Sequence, residues 1–354
     1  MLIFAIESSC DETAAAILEA EETPAGHKLT LRSNIVSSQI AIHALYGGVV
    51  PEIASRAHSE AISKVAADAF TEAGVRPEEI DAVAVTYAPG LIGSLLVGVS
   101  FAKAFASVHK IPLIPVDHIK AHVAAAYLTS PELEPPYLAL VVSGGHTSLY
   151  EVSDYQTFTE IGGTRDDAAG EAFDKVGRVM GLPYPGGAAM DRLAAKGLET
   201  YDPKGKGRLK FPSPAIPDDT LDFSFSGLKT AVINHIHTTR QRLGGDDTEL
   251  PEETRAEIAA AFTCAVTEGI AGKLDTALKQ GKYSTVVMAG GVAANSHLRR
   301  AVEAVCRKRK TAFVVPPLSL CGDNAAMVSA CGYHLYRCGV RADSALNAFA
   351  NLEE

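Results

Sequence analysis

No tryptophan occurs among the 354 residues, and cysteine is confined to six scattered positions: Cys10, Cys264, Cys306, Cys321, Cys331 and Cys338. None form a C-x-x-C pair, which argues against a disulfide framework or a zinc finger and for reduced thiols. Positive charge is in deficit, with 32 Lys and Arg against 42 Asp and Glu, a net of −10. A chain of that sign has no overall attraction for nucleic acid or a membrane, so a polyanion must be met by a local patch, a metal or a partner. Long apolar runs are missing too. The N-terminal LIFAI is too short for a signal peptide and has no basic stretch before it. Residues 82–102 carry no charge, but Pro89-Gly90 breaks them and Gly93 and Gly98 follow. A buried strand, a turn and a buried helix fit that stretch better than a membrane span. A cytoplasmic chain with no membrane attachment is expected.

What is present is ordinary globular material, 47% hydrophobic and 21% charged, long enough for two domains. The chain also repeats itself. LIFAIESSCDETAAAILEA (2–20) reads as strand, small polar turn and strand, and YLALVVSGGHTSLYEV (137–152) has the same plan. Each hairpin is followed later by a strand with a glycine turn, an apolar-periodic helix and a second strand: 80–90, 91–110 and 111–116 in the first half, 283–291, 292–310 and 311–317 in the second. His118 opens the next helix in one half and Asp323 in the other. Two α/β domains of one type are therefore expected, residues 1–130 and 131–354, the second carrying a partly helical insertion at about 162–275. Alternating strands and helices imply largely parallel sheets with helices on both faces.

Ligands of open α/β sheets collect beyond the carboxyl ends of strands. In VDHIKAH (116–122), His118 and His122 stand four apart, on one helical face. Alone, such a pair is more often two ordinary surface histidines than two metal ligands, so it decides little. Its equivalence with Asp323 completes a two-histidine, one-carboxylate set if the domains face each other across a cleft. Such a set leaves coordination positions open and suits iron(II) or zinc. Asp323 also reads as a helix N-cap.

The P-loop and G-x-G-x-x-G signatures are absent. Glycine turns at SGGHT (143–147), Gly186-Gly187 and AGGVAAN (289–295) are each weak signals. Together they suggest a nucleotide-sized anion, since glycine lets backbone amides approach phosphate and helix N-termini favour it. ESSCDET (7–13) sets Glu7, Asp11 and Glu12 at the first hairpin tip, as a general base, a metal-water contact or a capped turn. DDAAGEAFDK (166–175) sets Asp167, Glu171 and Asp174 in one helical stretch, readable as a solvated acidic face. RKRK (307–310), with Arg299 and Arg300, and KGKGRLK (204–210) are the basic clusters, the first more readily a solvated helix C-terminus than a phosphate contact.

Across essentially the whole chain these motifs resemble the tRNA N6-adenosine threonylcarbamoyltransferase family of bacterial TsaD type, once described as O-sialoglycoprotein endopeptidases. The stretches that carry the resemblance are IESSCDETAAAI, HALYGGVVPEIASRAH, APGLIGSLLVG, VDHIKAH, VVSGGHTSL, DDAAGEAFDKVGRVMGLPYPGG, FSFSGLKTA, MAGGVAANSHLR and CGDNAAM. The resemblance implies a duplicated actin-like, Hsp70-like ATPase fold. It implies transfer of a threonylcarbamoyl group from threonylcarbamoyl-adenylate to the N6 amine of the adenosine 3′ of the anticodon, in tRNAs reading codons that begin with A, with release of AMP. It implies one divalent metal ion on His118, His122 and Asp323, and a substrate loop of Val141, Val142, Ser143, Gly144 and Gly145. Further substrate contacts fall at Asp174, Gly187, Asp191 and Asn295, and assisting carboxylates at Asp11 and Glu12. The implied partners are tRNA, a TsaB-type paralogue, a TsaE-type small ATPase and an upstream threonylcarbamoyl-adenylate synthase. The chain departs from the family at Thr164-Arg165 and in its tail, SALNAFANLEE, which lacks the usual Arg/Trp/Pro-rich ending.

Three other readings compete. A metallopeptidase would use the H-x-x-x-H pair, yet Ile119-Lys120-Ala121 places no glutamate as general base. A small-molecule kinase of the same fold would turn over ATP without tRNA. A silent binding subunit would have no need of an intact His/His/Asp set.

Overall fold

The computed structural model describes every residue except 24–25, 202–204, 206–207 and 352–354. In chain order the strands and helices begin with β1 (Leu2–Glu7), β2 (Glu12–Thr23), β3 (Gly26–Ser38), α1 (Ile40–His43), α2 (Pro51–Ala73), β4 (Ala82–Ala88), α3 (Ile92–His109), β5 (Leu113–Asp117) and α4 (His118–Ala124). There follow β6 (Tyr137–Val142), β7 (Thr147–Val152), β8 (Phe158–Gly163), α5 (Ala169–Val179), α6 (Gly186–Leu198), α7 (Ser226–Leu243) and α8 (Glu252–Gln280). The last are β9 (Thr285–Ala289), α9 (Ser296–Arg309), β10 (Ala312–Val314) and α10 (Ala325–Arg337).

The chain forms two compact units. The first comprises Met1–Pro136, Val152–Phe158 and Val314–Glu354, and the second Tyr137–Glu151 and Thr159–Phe313. The division expected at 130/131 ran unbroken to the end of the chain. Instead, everything after Phe313 packs with the first unit.

Unit 1 is built on a sheet of order β3-β2-β1-β4-β5, with β1–β2 and β2–β3 antiparallel and β1–β4 and β4–β5 parallel. Strand side chains alternate between faces. Phe4, Ile6, Val83 and Val85 form one core with Ile62 and Val65 of α2 and Leu95 and Val99 of α3. α3 is long and apolar enough to cross a membrane, but its Leu95, Val99, Ala102 and Ala106 edge is buried in that core. On β4, Ala84 meets α10: a Cβ on Gly332 would come within 2.5 Å of the Ala84 Cβ. Only glycine allows this approach, and its missing side chain lets α10 lie directly on the first sheet. The tail follows the helix. The Ala342 N–H donates to Leu113 O at 2.8 Å, and the Phe349 N–H to Tyr87 O at 2.9 Å. Ala342 thus meets β5, and the atypical ending meets β4 at Phe349.

Unit 2 repeats the arrangement in its sheet, β10-β9-β6-β7-β8, with β6 and β9 parallel. Its helical insertion centres on α8. Ile258, Phe262, Val266, Ile270 and Leu274 recur every fourth residue on that helix, and all are fully buried.

Candidate metal centre and glycine cradle

β5 hands the chain directly to α4. The Asp117 carboxylate accepts from the Lys120 N–H at 2.9 Å, capping the helix so that it begins at His118. One turn later comes His122, with the two rings edge-to-face at 4.6 Å. At the start of α10 the capping oxygen is that of Asn324, which accepts from the Met327 N–H at 3.0 Å. Asp323 is therefore not the N-cap. Its Oδ1 lies 3.2 Å from His122 Nε2 and 3.6 Å from His118 Nε2.

All three residues belong to unit 1, and their ligand atoms lie within 4.8 Å of one another. The expected set is thus assembled, but not by convergence of two domains. It closes because α10 returns to the first sheet. The donor set fits a divalent cation. Both His122 nitrogens are buried without a hydrogen-bond partner, since the approach of Asp323 falls outside hydrogen-bond geometry. An orphaned buried Nε2 facing a carboxylate is what a bound ion would satisfy.

Around this set the carboxyls crowd. Burial raises Glu12, and Asp323 and Asp11 raise it further, to about 9. Burial alone would lower His118, but Asp323 and Glu7 outweigh it and lift it to about 9. Burial pushes the Cys10 thiol well up, with Asp11 and Asp323 adding to it, so Cys10 is no thiolate nucleophile. Glu12 accepts from the Ser38 hydroxyl at 3.0 Å, and Asp11 is buried. The tip bearing them is braced from α2. The buried His58 donates from Nε2 to Cys10 O at 2.9 Å and lies 2.7 Å from the Thr13 hydroxyl through Nδ1.

The sequence reading missed the part played by Glu7. This residue is fully buried, with Oε2 3.2 Å from His118 Nδ1. The available signal was a charged residue ending an otherwise apolar strand.

In unit 2, Val141 and Val142 are buried sheet residues, so only Ser143, Gly144 and Gly145 of the expected loop stand at the hairpin tip. The turn is closed by Ser143 N–H to His146 O at 2.8 Å. A Cβ at Gly144, Gly145, Gly187 or Gly291 would meet nothing within 4 Å. Neither packing nor a left-handed backbone demands glycine there; the open space suits a ligand pressed against the main chain. Gly290 differs, with φ 92° and a notional Cβ 2.5 Å from Val142 O. It locks the β9 turn to the end of β6.

The remaining expected contacts form a chain. Asp174 accepts from the Gly186 N–H at 2.7 Å, at the start of α6. Asp191 on α6 accepts from the Ser296 N–H at 3.0 Å, at the start of α9. Asn295 caps α9 through the His297 and Leu298 amides. Asp167 precedes α5 rather than lying on it and pairs with Lys229 and Lys175, while Glu171 also pairs with Lys175. Arg165, one of the departures from the family, pairs with Asp218 and Asp222. In RKRK, Arg307 pairs with Glu303, and Lys308 and Arg309 with Asp275. Lys204, Lys206 and Gly207 of the second basic cluster lie outside the described residues.

The family model for TsaD, tRNA N6-adenosine threonylcarbamoyltransferase, matches residues 30–330. The chain belongs to this family. Curated members agree over nearly full length: that of Caldicellulosiruptor saccharolyticus is 48% identical over 94% of this chain and 92% of its own. That of Halalkalibacterium halodurans is 48% identical over 99% and 96%. Among solved structures, full-length HypF in its phosphate- and nucleotide-bound form is similar with a TM-score of 0.60 at 14% identity, covering 97% of this chain and 56% of that one. HypF of T. kodakarensis gives 0.61 at 14%, covering 95% and 48%. This chain spans about half the length of those HypF proteins. The likeness shows the fold alone, the duplicated α/β architecture of actin-like ATPases. Family and fold together imply a metal and a nucleotide-like ligand, and membership makes the chain a tRNA-modifying acyltransferase.

Proposed function

We propose that the chain transfers a threonylcarbamoyl group from threonylcarbamoyl-adenylate to the N6 amine of the adenosine 3′ of the anticodon, in tRNAs reading A-starting codons, and releases AMP. The observation that carries this reading is the approach of both Nε2 atoms to one Asp323 oxygen beside orphaned buried nitrogens. His118, His122 and Asp323 would hold one divalent ion, iron(II) or zinc. That ion supplies Lewis-acid polarisation of an acyl or phosphate oxygen.

The chain's own residues do the rest. The open amides at Gly144 and Gly145, with Ser143, Gly187 and Asn295, hold the adenylate, and Asp174 and Asp191 fix the helix ends that frame it. An exocyclic adenine amine is a weak nucleophile and must shed a proton as the carbonyl is attacked. Glu12, raised to about 9, keeps its own proton at neutral pH in the metal-free chain. Asp11, buried at the same hairpin tip, is the proposed base. A net charge of −10 suits an enzyme that shares tRNA binding with partners, here a TsaB-type paralogue and a TsaE-type ATPase, in the cytoplasm.

A peptidase reading is disfavoured because the acid touching His118, Glu7, sits behind it on Nδ1, where no substrate water reaches a wholly buried carboxylate. The test is stoichiometric. With the partners and threonylcarbamoyl-adenylate present, AMP release should require unmodified tRNA and match the modified nucleoside formed, read by mass spectrometry. Peptide cleavage, or ATP turnover with a small acceptor and no tRNA, would replace this reading with the peptidase or the kinase.

A further inference from the structure

We propose that Glu7 is a positioning residue for His118, and that its negative charge sets how tightly His118, His122 and Asp323 hold a divalent cation. This rests on the metal reading above. An imidazole binds a cation through one nitrogen, and the hydrogen on the other is fixed by what it faces. His118 Nε2 faces Asp323, while Nδ1 lies 3.2 Å from Glu7 Oε2 and 3.1 Å from Ser9 Oγ. An ionised carboxylate only accepts, so Nδ1 carries the hydrogen and the Nε2 lone pair is left for the ion.

The surroundings of Glu7 are consistent with that task. It is 0% exposed at the end of a core strand, where an unpaired charge is costly. It has three partners: the Ser9 N–H at 2.5 Å, the Thr86 hydroxyl at 2.7 Å and His118. The two neutral donors lock the carboxylate in place from the tip and from β4. His118 is the partner on which its charge acts. His122 has no counterpart, since neither of its nitrogens has a hydrogen-bond partner. Of the two histidines, only His118 is oriented by such a partner, so loss of Glu7 should act on one ligand only.

The test is cobalt(II) titration into the metal-stripped full chain, followed by visible absorption, with a thermal melt of each metal-free variant. Glu7→Gln keeps the shape and an acceptor oxygen but removes the charge; Glu7→Ala removes both. Loss of such an outer partner weakens metal binding by about 10- to 100-fold, so Glu7→Gln should fall near the lower figure and Glu7→Ala near the upper. Thr86→Val, which removes a lock without touching His118, should weaken binding less than Glu7→Gln. If Glu7→Ala does not fold, Glu7→Gln decides. Unaltered cobalt affinity and spectrum in a folded Glu7→Gln overturns the proposal. Absence of cobalt binding by the unsubstituted chain overturns it together with the metal reading, which separates the two failures.

Discussion

The tips of β1–β2 and β6–β7 occupy the same place in two sheets of the same strand plan, yet they are chemically opposite. The first, Ser8 to Glu12, is packed and acidic, braced by His58 and Ser38 and adjoining the His118, His122 and Asp323 cluster. The second, Ser143 to His146, is a tight turn whose glycines face open space. One scaffold thus offers carboxylates in unit 1 and bare main-chain amides in unit 2. Duplication fixes where a site forms, and the tip residues fix what it does.

The sharpest way to break this comparison is at the first tip. Asp11→Asn should lower transfer by about 10²- to 10⁴-fold, the usual worth of a general base, while metal content stays at the native level. Single-turnover kinetics with metal analysis checks it; an unchanged rate removes Asp11 from the chemistry.

The second tip should fail differently. Gly145→Ala has room for its Cβ, so the melt should hold while AMP affinity falls by about tenfold, or ~1.4 kcal/mol. Gly290→Val, strained at φ 92° and clashing with Val142 O, should lower stability by about 1–3 kcal/mol or more. Calorimetry and chemical denaturation of the pair distinguish an open glycine from a packed one.

A further difference is expected in acid. On α10, His334 is buried, stacked on Tyr155 at 4.1 Å, and burial, with His27 and Arg337, pushes it down to about 3 from 6.5. Its folded form is the neutral one, so protons bind the unfolded chain first. Stability should therefore be intact above about pH 6.5 and fall as pH drops toward 3, by about 2 kcal/mol at pH 5. Hydrogen exchange should show unit 1 loosening before unit 2, and His334→Phe should flatten the slope. The smallest effect belongs to the exposed pair Arg307–Glu303, where Arg307→Ala should shift stability by less than about 1 kcal/mol.

Much of this was legible in the residues. Strand and helix periods located both hairpins and the helix opening at His118, and the repeat linked His118 and His122 to Asp323. The return of α10 to the first sheet was not legible, because it depends on Gly332 meeting Ala84 across 248 positions. Nor could the sequence decide between Asp323 and Asn324 as the cap, since both residue types cap helices well. The partnership of Glu7 with His118 was hidden for the same reason as the return of α10. They are distant in sequence and adjacent only once β1, β4 and β5 lie side by side.

The central claim is that a metal held within unit 1 carries the transfer. The direct test strips the chain of metal, returns iron(II) or zinc in measured steps, and plots modified nucleoside per chain against ions per chain. The account predicts no product without metal and a rise that levels off at about one ion per chain, as a single three-ligand site requires. Full transfer by the stripped chain would contradict it.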